Sequence, residues 1–222
     1  TCSVPDERLA NINTFIKAEK LVYATLDLVD IPGLAKGANQ GEGIGNSFLG
    51  DVRQCDALIH VLRCFDDPNL PHVEGSVDPV RDIEIIDFEL QVKDLEQVER
   101  KVQRVEKAAK VGDKTAKRDL DVLLKYKQHL ENFQNVRTLE ATEEEKSVVK
   151  DMMLLTEKAM MYVCNVNDDA AVSGNAYVEQ VKEYLKNQSM EPLVIAGKTE
   201  SEIAELDNEE DRLEFLADVG LK

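Results

Sequence analysis

Four consecutive residues, Asp30-Ile31-Pro32-Gly33, carry the first chemistry in this sequence. They close the apolar run Leu21 to Ile31 (LVYATLDLVDI), whose β-branched residues suit one long strand or two short ones. An aspartate at the end of a buried strand can hold Mg2+ through water. A glycine three residues on can turn its N–H toward a terminal phosphate. An ordinary strand-end turn uses the same letters, so the tetrapeptide decides little alone. Six of the 11 glycines then fall between Gly33 and Gly50. Each costs a helix about 1 kcal/mol against alanine, so a mobile loop is expected there, turning helical near Phe48.

Two further polar groups close apolar runs. Asn165-Val166-Asn167-Asp168 ends Met160 to Asn165 (MMYVCN), in the place of the NKxD of GTPases with valine for the lysine. There the asparagine braces neighbouring loops and the acid reads the edge of a base. Ala196-Gly197-Lys198 follows Leu193 to Ala196, where an SAK-like loop offers backbone N–H groups to the base. Polar residues at strand ends are commonly loop caps. Three such groups in this order, each at the C-terminal edge of an expected strand, describe a nucleotide crevice.

These groups need a sheet and helices to hold them. Ala57 to Leu62 (ALIHVL) reads as a short buried strand, and Asp66 to Pro79 as a polar loop. Asp78-Pro79 is an N-cap followed by proline at the first helical position. From there Ile85, Phe88, Val92, Leu95, Val98, Val102, Val105 and Ala109 form one stripe along a helix of about 30 residues. Gly112-Asp113 breaks it. A second helix follows with Ala116, Leu120, Leu123, Tyr126, Leu130 and Phe133 on one face, completing an antiparallel hairpin. Thr142 to Glu145 is a capping box for a third helix. Asn175 to Asn187 is amphipathic, and Ser201 to Val219 is helical and acidic, with Gly220 at its C-cap. Alternating strands and helices imply a mostly parallel sheet interrupted by the hairpin.

At 222 residues, 43% hydrophobic and 32% charged, the chain can build a core. Its net charge of −17 excludes a general nucleic-acid coat. No run of 18 apolar residues spans a membrane, and the start reads as neither a signal peptide nor an initiator methionine, as in a fragment of something longer. Cys2, Cys55, Cys64 and Cys164 form no CxxC pair, and His60, His72 and His129 suggest no zinc site. A reduced, cytoplasmic setting is expected. One stretch inverts the global charge. Between Arg100 and Arg118, eight bases (Arg100, Lys101, Arg104, Lys107, Lys110, Lys114, Lys117, Arg118) face two acids, Glu106 and Asp113. That +6 at the hairpin tip suits RNA phosphate rather than stacked bases, since aromatics are few there.

LVDIPGLAKGANQGEGIGNSFLGDVRQCDALIHVLRCFDD, HVEGSVDPVRDIEII and ESEIAEL together resemble the YchF family, the Obg-like ATPases, along essentially the whole chain. The resemblance implies an α/β P-loop NTPase, a G domain with an inserted helical coiled coil. It implies G-domain parts at 1–79 and 159–222, the insertion at 80–158, a phosphate-binding loop before Thr1 and a TGS domain after Lys222. Without that loop this piece should barely hold phosphates. It further implies ATP or GTP hydrolysis, a ribosome or rRNA partner with neither DNA nor membrane, Mg2+ at Asp30, and K+ as a further candidate ion. The movable part would be Ala35 to Asn46, beside Gly33. Leu34 stands where Ras-like GTPases have a glutamine, and His72 matches a histidine proposed to position the attacking water. Val166 would touch the base through its backbone and side chain, and Asp168 stands where the family has glutamate. ATP is the expected base choice. The competing reading is a non-catalytic adaptor that binds RNA or ribosomes through the hairpin.

Overall fold

The computed structural model describes residues 1–30, 50, 52–206, 208–218 and 220. Gly33, Leu34 and the Ala35 to Asn46 stretch therefore lie outside the described residues. The chain divides into two units, residues 1–38 and 39–222.

In the first unit, β1 (Cys2–Ser3) pairs antiparallel with β2 (Thr25–Leu26), and α1 (Glu7–Phe15) lies between them in sequence. Asp6 caps α1, its carboxylate accepting from the N–H groups of Arg8 and Leu9. Of the one long strand or two short ones expected over Leu21 to Ile31, the described residues 21–30 form only the two residues of β2. Leu26, Leu28 and Val29 are exposed. No other strand of this unit pairs with positions 27–30 among the described residues, so this apolar run has no ladder to join. Asp30 consequently ends an exposed stretch rather than a buried strand.

The second unit holds a three-stranded parallel sheet in the order β3-β4-β5: β3 (Ala57–Arg63), β4 (Ala159–Asn165) and β5 (Leu193–Ile195). Leu62 lies opposite Cys164, and Cys164 opposite Val194. Leu62, Cys64, Tyr162 and Cys164 point into the core, whereas Ile59, Val61, Met161 and Leu193 are exposed. One face of the strands is therefore covered, while the other is covered only in part, at Val163. β3 and β4 sit side by side although about a hundred residues separate them. Those residues form the helical insertion.

The insertion begins with α2 (Pro79–Lys110), capped by Asp78, which accepts from the Arg81 N–H. It turns at Val111-Gly112-Asp113, where Gly112 has φ +94°, a conformation that a glycine takes without strain. Asp113 then caps α3 (Lys114–Glu131). Val98 on α2 packs with Val122, Leu123, Tyr126 and Leu130 on α3, and α4 (Glu143–Val149) closes the cluster through Val149. The Thr142 capping box is present, with reciprocal bonds to Glu145. α5 (Ala176–Lys186), α6 (Gly197–Ala204) and α7 (Glu209–Asp218) complete the unit. The single acidic helix expected from Ser201 is thus two helices.

The apolar stripe of α2 is displaced from the true buried face. In its first half the buried positions are Ile83, Asp87, Leu90, Gln91 and Asp94, whereas Phe88 is exposed. The physical reason is a set of donors that need partners. Asp87 accepts from Asn135 Nδ2 at 2.9 Å and Arg137 Nη2 at 3.2 Å, and Gln91 Nε2 donates to Asn135 Oδ1 at 2.8 Å. Phe133, expected on the buried face of α3, is 69% exposed at φ +56°. It stands just past the helix end, where its N–H reaches the Leu130 carbonyl and the Gln134 N–H reaches that of His129. That is a Schellman turn with phenylalanine in the left-handed position.

Asp94 is fully buried. It accepts from the N–H groups of Leu155 (2.9 Å) and Thr156 (2.7 Å) and from the Thr156 hydroxyl (2.8 Å), while Arg53 Nη1 lies 3.6 Å away. Burial pushes its carboxyl above the usual range, although those donors pull the other way. Removing it orphans three buried donors at roughly 1–3 kcal/mol each. Asp94→Ala is expected to cost about 4 kcal/mol, read as a lowered urea midpoint, with Asp94→Asn costing less because its amide oxygen still accepts.

Candidate functional site

Three loop segments meet at the C-terminal edge of the parallel sheet. β4 ends at Asn165, whose Oδ1 accepts the Gly197 N–H at 3.0 Å. The side chain thus ties the end of β4 to the turn after β5, the bracing expected of it. Gly197 leaves no room for more: a Cβ there would meet Asn165 Oδ1 at 3.0 Å. The Asn165 carbonyl accepts the Cys64 N–H at 2.8 Å, so the end of β3 joins the same junction. Asn175 adds a third tie, donating from Nδ2 to the Cys64 carbonyl at 2.7 Å while its Oδ1 caps α5.

Asp168 lies in a single 3-10 turn just past β4. Its Oδ1 accepts from the Thr199 hydroxyl. Thr199 is 5% exposed and sits in the first turn of α6, so a buried threonine fixes the orientation of an exposed carboxylate. Sequence reading passed over Thr199. The signal available was its position three residues past the apolar run at β5, within reach of an acid from the neighbouring strand.

Val166 is 4% exposed, and its N–H donates to the Ile195 carbonyl at 2.8 Å. Its amide and side chain are committed to the β4–β5 junction rather than presented to a ligand, which differs from the base contact expected of it. Ala196 is buried at the N-cap of α6, and Gly197 and Lys198 are already helical. The expected SAK-like loop is therefore a helix N-terminus, whose first N–H groups have no intrahelical acceptors. The Lys198 side chain is exposed beside Glu202 at 3.9 Å.

His72 lies in the turn before α2, with Nε2 3.0 Å from Asp82 Oδ2 and Nδ1 accepting the Glu74 N–H at 3.1 Å. Asp30 belongs to the first unit. Among the described residues no group of three His, Cys, Asp or Glu side chains could hold a metal ion.

The hairpin's basic residues divide into two sets. Lys101 is half-buried, donating to the Val148 carbonyl and to Asp151 at 2.5 Å. Lys110 pairs with Glu106 at 3.0 Å, and Arg118 lies 3.8 Å from Glu144. Arg100, Arg104, Lys107, Lys114 and Lys117 are exposed and make no ion pair among the described residues. The free charge is therefore five residues, not eight.

No family model matches the sequence. Curated relatives do. The chain is 43% identical over 221 residues to a Bacillus subtilis protein named ribosome-binding ATPase YchF, covering 99% of this chain and 60% of the relative. An Escherichia coli O157:H7 protein of the same name is 42% identical over 219 residues, with the same coverage. The chain belongs to the YchF family. A solved structure described as the Schizosaccharomyces pombe YchF GTPase superposes with a TM-score of 0.85 at 33% identity, over 99% of this chain and 60% of that one. The likeness extends the parallel sheet and inserted hairpin to a YchF-family α/β P-loop NTPase fold. The chain spans about three-fifths of the length of these YchF relatives.

The brace gives a direct test. Asn165→Ala removes the acceptor that holds the Gly197 N–H, and Gly197→Ala pushes a methyl group against it. In the full-length protein both are expected to weaken nucleotide binding about tenfold, equivalent to about 1.4 kcal/mol, in a fluorescent-nucleotide titration. The helical circular-dichroism signal should stay unchanged.

Proposed function

We propose that this chain carries the base-reading edge and the helical prong of a ribosome-associated nucleoside-triphosphate hydrolase. The observation that carries the reading is the Asn165–Gly197 brace with Asp168 beside it, at the C-terminal edge of a parallel sheet. In open α/β sheets ligands bind outside that edge. The names of the relatives, ribosome-binding ATPase and GTPase, support the same class.

In this reading Asn165 fixes the loops, Asp168 accepts from the base and the N-terminus of α6 lies against it. Asp30 is the carboxylate offered to magnesium through water, and the ion would offset phosphate charge. Gly33 faces the terminal phosphate, and Leu34 cannot hydrogen-bond water, so His72 orients the nucleophile. The catalytic, nucleotide and metal assignments rest on the family resemblance at those positions. Hydrolysis by the full-length protein, measured with and without ribosomes, tests the reading, and absence of turnover in both conditions would refute it. Cytoplasmic location follows from a ribosomal partner. The described helices include none long and apolar enough to cross a membrane.

Base choice is the first expected outcome. A guanine reader uses a lysine beside its asparagine and aspartate, and here Val166 replaces that lysine. ATP and GTP should bind within tenfold of each other, and a GTP preference beyond about 1.4 kcal/mol would contradict this.

An adaptor reading draws on the five unpaired bases of the hairpin. Counterion release makes such contacts salt-dependent. Reversing Lys107, Lys110, Lys114 and Lys117 to glutamate should weaken ribosome binding and flatten its salt dependence, while ribosome-free hydrolysis stays at the parental rate. Parental ribosome affinity at low salt would make the tip a solubilising surface. Ribosome binding without hydrolysis in the parent would favour the adaptor.

A further inference from the structure

His72 is held from both sides. The turn at 72–75 is closed by the Gly75 N–H on the His72 carbonyl at 3.0 Å, with Gly75 at φ +81°. Within that turn the Glu74 N–H donates to His72 Nδ1 at 3.1 Å. A nitrogen that accepts a proton donor carries no proton of its own, so the neutral ring bears its hydrogen on Nε2. That N–H points at Asp82 Oδ2, 3.0 Å away. Asp82 is held in turn. It lies in the first turn of α2, where the helix dipole favours an anion, and Arg81 Nη2 contacts its other oxygen at 3.1 Å. Arg81 also donates to the Ser76 carbonyl at 2.7 Å and hydroxyl at 3.1 Å, fastening the turn to the helix. His72 and Asp82 are 16% and 20% exposed at their side chains.

Neither nitrogen of His72 is free to touch a water molecule in this arrangement. We propose that Asp82 is a positioning residue that parks His72, and that His72 orients the attacking water only after its Nε2–H leaves Asp82. The proposal rests on the assignment of His72 to the water in the preceding subsection. The Glu74 contact is local to the turn and survives release, so Nδ1 stays occupied. The freed group is then an N–H donor aimed at the water's oxygen or a phosphate oxygen. It orients the nucleophile and takes no proton, which a loose phosphoryl-transfer transition state permits. The parked and released forms differ by one hydrogen bond between partly buried groups. A ligand that competes for either partner can shift such a pair.

The test is steady-state ATP turnover by the full-length protein, without ribosomes, in four variants. Asp82→Ala should raise kcat roughly three- to tenfold by enriching the released form, with KM unchanged. Asp82→Glu, which can re-form the contact, should return toward the parental rate. His72→Ala should lower kcat, and the His72→Ala, Asp82→Ala double variant should match it, with the gain abolished. Asp82→Asn keeps the size of this first-turn residue and should give a smaller rise, guarding against an Asp82→Ala protein that fails to fold. Histidine 15N spectra give an independent signature: the hydrogen-bonded Nε2–H signal of His72 should move upfield in Asp82→Ala. If His72→Ala lowers kcat while Asp82→Ala and Asp82→Asn lower it too, Asp82 supports His72 rather than parking it and the proposal falls alone. If His72→Ala leaves kcat unchanged, the water assignment falls and takes the proposal with it.

Discussion

Asp94 is the carboxylate on which the second unit turns. It lies on α2, yet its acceptor oxygens serve the chain that leads into β4, through Leu155 and Thr156. The Thr156 hydroxyl passes the connection on, accepting the Val136 N–H at 3.2 Å from the turn after α3. Arg53 approaches the same carboxylate while donating to the carbonyls of Met152 and Met153 at 3.3 and 3.0 Å. Lys158 completes the knot by donating to the carbonyls of Arg53 and Cys55. A buried ion is costly unless its bonds are complete. Here each bond joins a different part of the chain, so the hairpin, the sheet and the segment before β3 meet in one arrangement.

The C-terminal edge of the sheet relies on a smaller version of the same device. Asn165 and Asp168 each accept from a backbone or hydroxyl donor of a distant stretch, and Asn175 donates to a distant carbonyl. The loops they tie come from strands whose order, β3-β4-β5, already brings their ends together. Side-chain amides and carboxylates thus do at the crevice what Asp94 does at the root of the hairpin. They convert neighbouring strand ends into a fixed surface.

The two long helices could be read from sequence because their limits are written in local chemistry. Asp78-Pro79, Gly112 and Asp113 each act within one turn of themselves. The parallel strands were legible for a similar reason, as short apolar runs each ending in a polar group. What escaped was anything decided by a distant partner. Asp87, Gln91 and Asp94 look like solvent residues until Asn135, Arg137 and Thr156 are placed opposite them. Phe133 looks like core until the helix ends before it. Leu28 and Val29 look like a buried strand, yet burial needs a neighbour to pair with. Asn165 was foreseen as a brace because its type and its place at a strand end were both in view. Thr199 was not, since its importance lies wholly in the carboxylate across from it.

The 32 residues of α2 make a rod of about 48 Å at 1.5 Å per residue. One end is anchored in the sheet-side core, and the far end carries the unpaired bases. Such a rod is a lever. A tilt of about 5° at its root sweeps the tip through roughly 4 Å over that length, comparable to the spacing of adjacent charged groups on a helix. α3 runs back along it, and the Lys127–Glu99 bridge at 2.8 Å and the shared apolar seam stiffen the pair against bending. Displacements too small to alter packing at the root therefore arrive at the tip as a change in which surface charges can be met at once.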